Sequence, residues 1–350
     1  MLYFIGEKPL KANHAGNKAR LDIDCIFRNR SYIEICNLEQ IEFKSIFQKV
    51  RYMCNWEHVK NIITIYFLHN KNVVLQYPFY FNVIIRKAIF KLLNKNNTIL
   101  FIHDIDALRK LEKSDLEREI KILNNAKVVV LHNEKMRNIL IQNGLKAKVV
   151  ILSCFDYLLT DNSPIQNYKL SKEVVFAGNL AKSTFLTNNK IENLNLIFNL
   201  YGPNFNKKEI RWQNIKYFGS FSPNEVPYKL KGSFGLIWDG EKIDTCSGSY
   251  GEYMKYNNPH KLSLYIAAGL PVIVWKKSAI AQFVEINEIG ITVNSLEEIN
   301  NVIDKMDINT YNEYKNNIKL LQTRITSGYY TQKVLEKCEK IIDEVNINEK

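Results

Sequence analysis

The chain has 350 residues, enough for two ordinary domains, and 46% of them are hydrophobic, which provides a core for each. Its 48 basic and 36 acidic residues leave a net charge of +12, which favours an anionic partner. Lysines are scattered and no run of five basic residues occurs, so a nucleic-acid partner is not expected. The positive charge is then explained by a phosphorylated small substrate, by an acidic membrane surface, or by an ordinary solvated basic surface.

The cellular location is predicted from cysteines and apolar stretches. The six cysteines lack Cys-x-x-Cys or zinc-site spacing, which is typical of reduced thiols in the cytoplasm. Met1–Leu10 does not resemble a signal peptide, and no apolar stretch is long enough to span a membrane. Phe79–Leu93 comes nearest, but its three cations predict either peripheral contact with the inner face of the membrane or a core-packed helix with a basic outer side.

The first half of the chain alternates short apolar runs with helical patterns. Predicted strands are Leu2–Ile5, Tyr32–Ile35, Asn72–Gln76, Ile99–His103, Val128–Leu131 and Val149–Leu152. Predicted helices are Asn17–Phe27, Phe43–Asn61, Asn82–Leu93, Glu112–Asn124 and Glu134–Gln142. This alternation predicts a parallel sheet with helices on both faces, and a polar linker at Thr160–Lys172 follows it.

The second half repeats the alternation. Predicted strands are Val174–Ala177, Leu196–Leu200, Lys216–Phe218, Gly235–Trp238, Pro271–Trp275 and Gly290–Val293. Predicted helices are Pro259–Ala268, Ala279–Ile286, Leu296–Met306, Thr310–Thr326 and Tyr330–Val345. The chain is thus expected to form two doubly wound α/β domains, residues 1–160 and 173–309, which face a cleft. The helices of residues 310–350 would pack back or join subunits, since the last one carries a one-sided apolar stripe.

Cations follow three loop-to-helix junctions, where the helix dipole disfavours them unless an anion is near. The clearest junction is Asn257-Asn258-Pro259-His260-Lys261, in which Asn258 suits the cap and Pro259 the first helical position. The second is Gly178-Asn179-Leu180-Ala181-Lys182-Ser183, directly after a strand. The third is Ala15-Gly16-Asn17-Lys18-Ala19-Arg20. An exposed helix end or a tight turn explains each one singly, but three together favour a phosphate-bearing ligand.

Ile102-His103-Asp104-Ile105-Asp106 ends a predicted strand and should face the cleft. A carboxylate here could deprotonate an acceptor hydroxyl, or could cap the next segment. The Asp-x-Asp spacing also resembles a metal-binding pair, which we weight less because cations already serve the phosphates. Asp22 and Asp24 share this spacing, but they should point to different faces of a helix and are set aside.

A long segment joins the strand that ends before Asp239 to the helix at His260. Its stretch Thr245-Cys246-Ser247-Gly248-Ser249-Tyr250-Gly251 suits a mobile loop over a polar ligand. Tyr217 and the turns at Tyr201-Gly202 and Gly219-Ser220 follow other strands and could flank a base or ribose, although ordinary turns explain them singly. Walker, dinucleotide, HExxH and GxSxG motifs are missing from the sequence.

Pro259-x-Lys261-x-x-x-Tyr265-Ile266-Ala267-Ala268-Gly269-x-Pro271-Val272 resembles the donor-binding helix of GT-B glycosyltransferases, although Leu264 stands where many have a ribose-binding Glu. Further motifs resemble one bacterial family, the β-1,6-galactofuranosyltransferases of O-antigen loci and the glucosyltransferase 3-like enzymes that act on adhesins. They are Ala15-Gly16-x-Lys18-Ala19-Arg20-x-Asp22, His103-Asp104-Ile105-Asp106-x-Leu108-Arg109, Phe155-Asp156-Tyr157-Leu158, Ala177-Gly178-Asn179-Leu180, Gly219-Ser220-Phe221, Phe234 to Gly240, Thr245-Cys246-Ser247-Gly248 and Asn257 to Lys261.

The resemblance implies a GT-B fold, a UDP-sugar as co-substrate, no obligatory metal and homo-oligomers built through the C-terminal helices. It places Lys182 and Lys261 on the diphosphate, Asn258 and His260 beside it, and Gly16 and Asn17 on the acceptor side of the cleft. The full set expected to bind substrate is Gly16, Asn17, Gly178, Asn179, Lys182, Tyr217, Asp239, Ser247, Gly248, Asn258, His260 and Lys261.

We therefore predict an inverting hexosyltransferase that adds glucose or galactofuranose to a sugar acceptor, such as GlcNAc on a glycoprotein adhesin or a cell-surface polysaccharide. Asp104 or Asp106 would be the base; alternatively these carboxylates orient the acceptor, with His103 or His14 as base. The competing hypothesis is a non-catalytic subunit that binds nucleotide sugar within a glycosylation complex.

Overall fold

The computed structural model describes residues 1–8, 15–39, 45, 47, 51–52, 55–110, 113–160, 166 and 168–348. The strands are β1 Leu2–Lys8, β2 Ile33–Glu39, β3 Asn72–Tyr77, β4 Asn97–Ile102, β5 Val128–Leu131, β6 Lys148–Ile151, β7 Glu173–Ala177, β8 Ile197–Tyr201, β9 Ile215–Tyr217, β10 Phe234–Ile237, β11 Val272–Trp275 and β12 Gly290–Val293. They form two six-stranded sheets, one in each half of the chain.

Helices flank both sheets. They are α1 Ala15–Asn29, α2 Trp56–Phe67, α3 Val83–Lys95, α4 Asp106–Lys110, α5 Lys113–Leu123, α6 Glu134–Gln142, α7 Val226–Lys229, α8 Gly248–Tyr253, α9 His260–Ala267, α10 Ala281–Ile286, α11 Ile299–Asp304, α12 Ile308–Thr326 and α13 Tyr329–Asn348. Short 3₁₀ turns lie at Leu180–Lys182, Thr184–Thr187, Asn189–Asn193 and Leu296–Glu298.

Every strand pairing in the two sheets is parallel. The first sheet has the order β2-β1-β3-β4-β5-β6 and the second the order β12-β11-β10-β7-β8-β9. Strand order therefore reverses between β1 and β3 in one sheet and between β7 and β10 in the other. Ligands of doubly wound sheets bind outside the carboxyl ends of strands at these switch points.

The strand sequences explain why both sheets are covered by helices. Val128–Leu131 and Val272–Trp275 are buried along their whole length, as expected of parallel strands with helices on both faces. In the first half, one core lies under α2, α3 and α5, and a second core lies on the opposite face under α1.

The last helix closes the fold. Its apolar stripe is buried with the first sheet, in a core that includes Phe4 and Val128 and the stripe residues Val334, Leu335, Cys338 and Ile342. The backbone N–H groups of Tyr330 and Thr331 donate to the buried carboxylate of Asp156, which fixes the start of α13. The apolar stripe of α13 therefore packs against the first sheet of the same chain.

Three local predictions need correction. The segment 245–257 is folded rather than a mobile loop, because it contains α8 and buries Tyr253 and Met254. Pro259, and not Asn258, occupies the cap position of α9. The helix predicted at Phe43–Asn61 falls partly outside the described residues; the described helix begins at Trp56 and continues past the predicted end to Phe67.

Candidate functional site

A cavity of about 310 Å³ lies at the carboxyl edge of the second sheet, beside its switch point. It lies between the ends of β7 and β8 and the start of α9. Its wall is formed by Tyr157, Ala177, Gly178, Asn179, Lys182, Tyr201, Gly202, Pro203, Ser220, Phe221, Pro223, Val226, Pro259, His260, Lys261 and Leu264. A volume in this range is typical of small-molecule sites.

Two glycines bring backbone to the cavity wall. A Cβ atom at Gly202 would lie 1.9 Å from the carbonyl oxygen of Gly178, and Gly202 has a φ of +131°. A side chain is therefore excluded there. A Cβ atom at Gly178 would lie 3.1 Å from Cε of Lys261, so this turn also leaves room for the lysine.

Two predicted lysines line the cavity. The Nζ atom of Lys261 lies 4.6 Å from the Phe176 ring centroid and 3.5 Å from Oδ2 of Asp239, a long and therefore weak ion pair. Lys182 is exposed, and its Nζ lies 5.4 Å from the Tyr250 ring centroid. Among the described residues Lys182 has no ion pair, so its charge is available to a ligand.

His260 begins α9 and is held by aromatic contacts. Its ring stacks on Tyr157 with centroids 5.2 Å apart, and its Nε2 is buried without a hydrogen-bond partner among the described residues. Burial lowers the pKa of His260 to about 4, and the charge of Lys18 acts in the same direction. The imidazole is thus neutral at pH 7 and has one nitrogen free for a ligand.

Asn258 joins the two halves. Its Nδ2 donates to the carbonyl oxygens of His132 and Ser153 at 2.9 and 2.8 Å, and its Oδ1 accepts from Asn133 at 2.8 Å. Its backbone N–H donates to Nδ1 of His132 at 3.0 Å. The side chain is buried, and its hydrogen bonds are all made to the first half, so the structure places Asn258 in the contact between halves.

The segment after β10 is tightly folded. A Cβ atom at Gly240, where φ is +104°, would lie 2.2 Å from the carbonyl oxygen of Ser247. Gly248 begins α8 with a φ of +69°. Ser247 and Gly248 are absent from the cavity wall, and α8 carries Tyr253 into the core of the first half.

The remaining predicted residues lie around the cleft. Asn179 lines the cavity and caps the turn that holds Lys182 by accepting from the N–H of Ala181. Tyr217 stacks on Phe205 and donates to the carbonyl oxygen of Gly202 at 3.0 Å, so it supports the wall from outside. Gly16 and Asn17 lie in the first turn of α1, and His14 is outside the described residues.

The cations of α1 are paired within the protein, which corrects the interpretation of this junction as a phosphate site. Lys18 is buried, and its Nζ donates to Asp22 at 2.6 Å and to the carbonyl oxygen of Leu158 at 2.7 Å. Arg20 is buried in an ion pair with Glu7. These carboxylates supply the negative charge that the sequence pattern assigned to a ligand.

A hydrogen-bonded relay fixes His103 at the switch point of the first sheet. Gln76 donates through Nε2 to Asp24 at 2.7 Å and to the carbonyl oxygen of Arg20 at 3.1 Å. Its Oε1 therefore faces Nε2 of His103, which must donate across 2.6 Å. This assigns the lone pair of His103 to Nδ1. Burial lowers the pKa of His103 well below its usual value, with Arg20 contributing, so the ring is neutral.

Arg109 bridges the two predicted catalytic carboxylates. It forms an ion pair with Asp106, and its Nη1 lies 3.8 Å from Oδ2 of Asp104. Burial raises the pKa of Asp104, and the charge of Arg109 opposes this. The Asp104 side chain keeps 32% of its surface exposed, so a substrate can reach it. Tyr253 of the second half contacts Asp104 and accepts from the N–H of Ile105 at 2.9 Å.

Sequence reasoning missed several of these contributors. Gln76 lies in a strand and Glu7 near a strand end, with no motif to distinguish them. Tyr157 and Arg109 lie inside motifs that the resemblance quoted, but the motifs did not indicate their contacts. The apolar wall of Phe221, Pro223 and Val226 had two signals, the turn that follows β9 and the motif Gly219-Ser220-Phe221, but neither indicated Pro223 or Val226.

A larger open hollow of about 1080 Å³ lies at the amino ends of β1, β3 and β4, with Met1, Asn72 and Asn97 in its wall. It lies at the edge of the first sheet opposite to the cleft. Because parallel sheets bind ligands at the carboxyl ends of their strands, the smaller cavity is the better candidate site.

Comparisons with known proteins agree with this architecture. The family described as "Glucosyltransferase 3-like, N-terminal domain" matches residues 8–154, and "Glucosyltransferase 3-like, C-terminal domain" matches residues 174–338. The Escherichia coli K12 protein named Beta-1,6-galactofuranosyltransferase WbbI is 33% identical over 98% of this chain and 99% of its own length. Glucosyltransferase 3 of Streptococcus gordonii is 27% identical over 68% of this chain and 69% of its own length.

A solved structure confirms the GT-B fold. The crystal structure of Anabaena HepE in complex with UDP covers 97% of this chain and 100% of its own, with a TM-score of 0.62 and 14% identity. This likeness shows the fold, whereas the assignment as a glycosyltransferase rests on the sequence relatives. The chain belongs to the glucosyltransferase 3-like family and is a glycosyltransferase.

Proposed function

We propose that the protein transfers a hexose from a UDP-sugar bound in the 310 Å³ cavity to an acceptor sugar held by the first half. The observation that carries this proposal is the approach of Lys182 and Lys261 to one cavity at the start of α9. The likeness to a structure solved with UDP supports the choice of nucleotide.

The diphosphate would lie against α9. Pro259 makes no side-chain capping bond, so the first N–H groups of α9 have no side-chain acceptor. A diphosphate satisfies them and meets the positive end of the helix dipole. Lys261 and Lys182 neutralise its charge. The neutral His260 ring donates its N–H to the Asp156 backbone, so its free Nε2 would accept a hydrogen bond from a hydroxyl group of the UDP-sugar. This arrangement stabilises the departing UDP.

Asp104 is our choice for the base. Asp106 is held in its ion pair with Arg109, and the lowered pKa of His103 makes it a weak proton acceptor. Asp104 is exposed in part and has a raised pKa, which brings it closer to a useful base. The acceptor oxygen attacks the anomeric carbon, the carbon–oxygen bond to UDP breaks, and the hydroxyl proton passes to Asp104. A single displacement of this kind inverts the anomeric centre.

We assign acceptor binding to residues 1–160 and donor binding to residues 173–309, with residues 310–350 as packing helices. The donor sugar would be glucose or galactofuranose, the sugars in the names of the two sequence relatives. The acceptor would be a sugar such as GlcNAc on a glycoprotein or a cell-surface polysaccharide. A homo-oligomer through the C-terminal helices would need faces other than the buried stripe of α13.

We also propose a cytoplasmic location. The described cysteines, Cys25, Cys36, Cys154, Cys246 and Cys338, are all free thiols, as expected in a reducing compartment. In the part of the chain that the structure describes, every helix is too short or too polar to cross a bilayer.

The test is release of UDP by purified protein from UDP-glucose, UDP-galactofuranose, UDP-galactose and UDP-GlcNAc, each with GlcNAc- and galactose-terminated acceptors. We expect acceptor-dependent release with one donor, and an inverted anomeric configuration in the product by NMR. UDP binding without release from any pair would contradict the proposed reaction, and a retained configuration would contradict the single displacement.

A further inference from the structure

The outer side of α2 carries large apolar side chains in solvent. Trp56, Ile63 and Phe67 are spaced by about two and then one turn, so they lie on one stripe of the helix. Trp56 is 75% exposed and Phe67 is 66% exposed, whereas His58 and Ile65 are the buried residues of this helix. Tyr66 extends the stripe. A contiguous exposed apolar stripe on a folded protein usually marks a contact surface.

The neighbouring helix α3 presents cations beside this stripe. Its outward positions include Arg86, Lys87, Lys91 and Lys95, and α3 contains no acidic residue. None of the ion pairs found among the described residues involves these four cations. Val83 and Ile84 add exposed aliphatic side chains at the start of α3.

The two stripes form one surface. Helices α2 and α3 pack against each other on the same face of the first sheet. The Nζ atom of Lys91 lies 3.1 Å from the ring centroid of Tyr66 and 5.9 Å from that of Phe67. We call this surface the α2–α3 face; it consists of Trp56, Ile63, Tyr66, Phe67, Val83, Ile84, Arg86, Lys87, Lys91 and Lys95.

We propose that the α2–α3 face docks on an anionic lipid bilayer. Aromatic side chains favour the headgroup level of a membrane, and flanking lysines and arginines attract acidic lipids. A second copy of the chain would bring these four cations, which have no ion pair among the described residues, against four like charges, which disfavours self-association. The net charge of +12 acts in the same direction as the local cations.

One end of the α2–α3 face, at the start of α3, adjoins the acceptor side of the cleft, whereas Phe67 and Lys95 lie at its other end, in the wall of the hollow at the opposite edge. β3 ends at the switch point, and the chain passes through exposed Tyr80 before α3 begins at Val83. The guanidinium of Arg20 lies 5.4 Å from the Tyr80 ring centroid, which places this connection beside the relay of the first sheet. Docking would therefore bring the acceptor edge near the lipid surface and suits an acceptor that is itself carried on the membrane.

The proposal is tested by co-sedimentation of the full chain with vesicles at about 0.1 M salt. One set of vesicles is phosphatidylcholine alone, and the other contains 30% phosphatidylglycerol. We expect binding to the acidic vesicles that is lost at about 1 M salt, where screening shortens the range of charges from roughly 10 to 3 Å. Arg86→Gln with Lys87→Gln should weaken vesicle binding by about 20- to 30-fold, since each cation near the surface contributes roughly fivefold.

Trp56→Ser with Phe67→Ser should weaken binding by at least about tenfold, because both exposed side chains lose their insertion into the headgroup layer. Leu320→Ser with Lys319→Gln is the matched control, because it removes one exposed apolar and one exposed basic side chain from α12 on another part of the molecule. The control should bind vesicles like wild type.

Vesicle binding that is absent in wild type, or unchanged in both α2–α3 variants, would overturn the proposal. A shift to monomers in the α2–α3 variants, measured by light scattering, would instead assign the face to self-association and would also overturn it. UDP release with a soluble acceptor should be normal in all these variants, so this proposal can fail independently of the proposed reaction.

Discussion

The two edges of the cleft are built from similar sheets but treat their cations differently. On the second sheet, Lys182 is unpaired among the described residues and Lys261 has one distant carboxylate, and both line an open cavity. On the first sheet, Lys18 and Arg20 are buried in short ion pairs. Positive charge is thus available at one edge and already neutralised at the other.

The difference shows how one topology supports two kinds of recognition. An edge with free lysines and an uncapped helix start suits a diphosphate. An edge whose charges are internally compensated, and which presents a neutral imidazole and a reachable carboxylate, suits the hydroxyl groups of a sugar. Substitutions at the two edges should therefore separate effects on nucleotide binding from effects on the acceptor.

Lys261→Ala should have the largest effect at the donor edge. We expect kcat/KM to fall roughly 10²- to 10³-fold and UDP affinity to fall with it, because a charge that stabilises the leaving diphosphate is removed. Steady-state kinetics and calorimetric UDP titration measure both. Lys277→Ala, an exposed lysine away from the cavity, is the control and should behave as wild type. Turnover by Lys261→Ala at the wild-type rate would contradict the assignment of the cavity to the donor.

Asp104→Asn should have the largest effect at the acceptor edge. We expect kcat to fall about 10²-fold or more with UDP affinity unchanged, because the proton acceptor is lost. In wild type, the rate should fall as pH decreases through the raised pKa of Asp104, since only the carboxylate accepts a proton. The pH profile of kcat/KM shows this limb. Asp106→Asn, which only disturbs the pair with Arg109, should cost less; an equal or larger loss would move the base to Asp106.

Gln76→Leu should have a moderate effect confined to the acceptor edge. The variant loses the hydrogen bonds of Gln76 to Asp24, to the carbonyl oxygen of Arg20 and to His103, of which only the last orients a ring toward the acceptor. A neutral bond of this kind contributes about 1 kcal/mol, so the KM for acceptor should rise roughly fivefold while UDP affinity stays constant. The side-chain ¹⁵N shifts of His103 report its tautomer and should show the Nε2–H form in wild type and a mixture in the variant. A single unchanged tautomer in Gln76→Leu would contradict the positioning role.

Gly178→Ala should have the smallest effect. Its Cβ would approach Cε of Lys261 at 3.1 Å, so the lysine must shift by a few tenths of an ångström. We expect UDP affinity to fall about two- to fivefold at constant thermal stability. Gly202→Ala is the contrasting variant, because strain at its positive φ and the clash with Gly178 should lower the free energy of unfolding by about 1–3 kcal/mol or more. Equal stability of the two variants would contradict this packing.

Much of the fold could be predicted because its signals are local. The predicted Val128–Leu131, Glu134–Gln142 and Gly290–Val293 have the observed bounds, since continuous apolar runs and helical periodicity determine them. The segment 245–257 was misjudged because small polar residues are typical of loops, whereas the burial of Tyr253 against the other half depends on tertiary packing.

In the candidate site, too, the residues with local sequence signals could be predicted and those that depend on tertiary contacts could not. Lys182, Lys261 and His260 could be located because a motif at a strand end or helix start fixes their place. The pairing of Arg20 with Glu7, and the link from Asn258 to His132, could not, because each depends on which residues the fold brings together. The pair of Lys18 with Asp22 has the i,i+4 spacing of helix neighbours and was open to prediction, although it was not predicted. Asp22 and Asp24 were set aside from their helical spacing alone, yet both are buried in networks at the cleft, and burial raises their pKa values to about 6 and about 7.

Calorimetric titration of the wild-type protein with UDP, UMP and uridine tests the central contrast most directly. We expect affinity to rise in steps with each phosphate and UDP to bind at least about 100-fold more tightly than uridine. Lys261→Ala should remove most of this gain, while Asp104→Asn should leave it intact. Equal affinity for UDP and uridine, or the same loss in both variants, would contradict the assignment of the second-sheet cavity to the donor diphosphate.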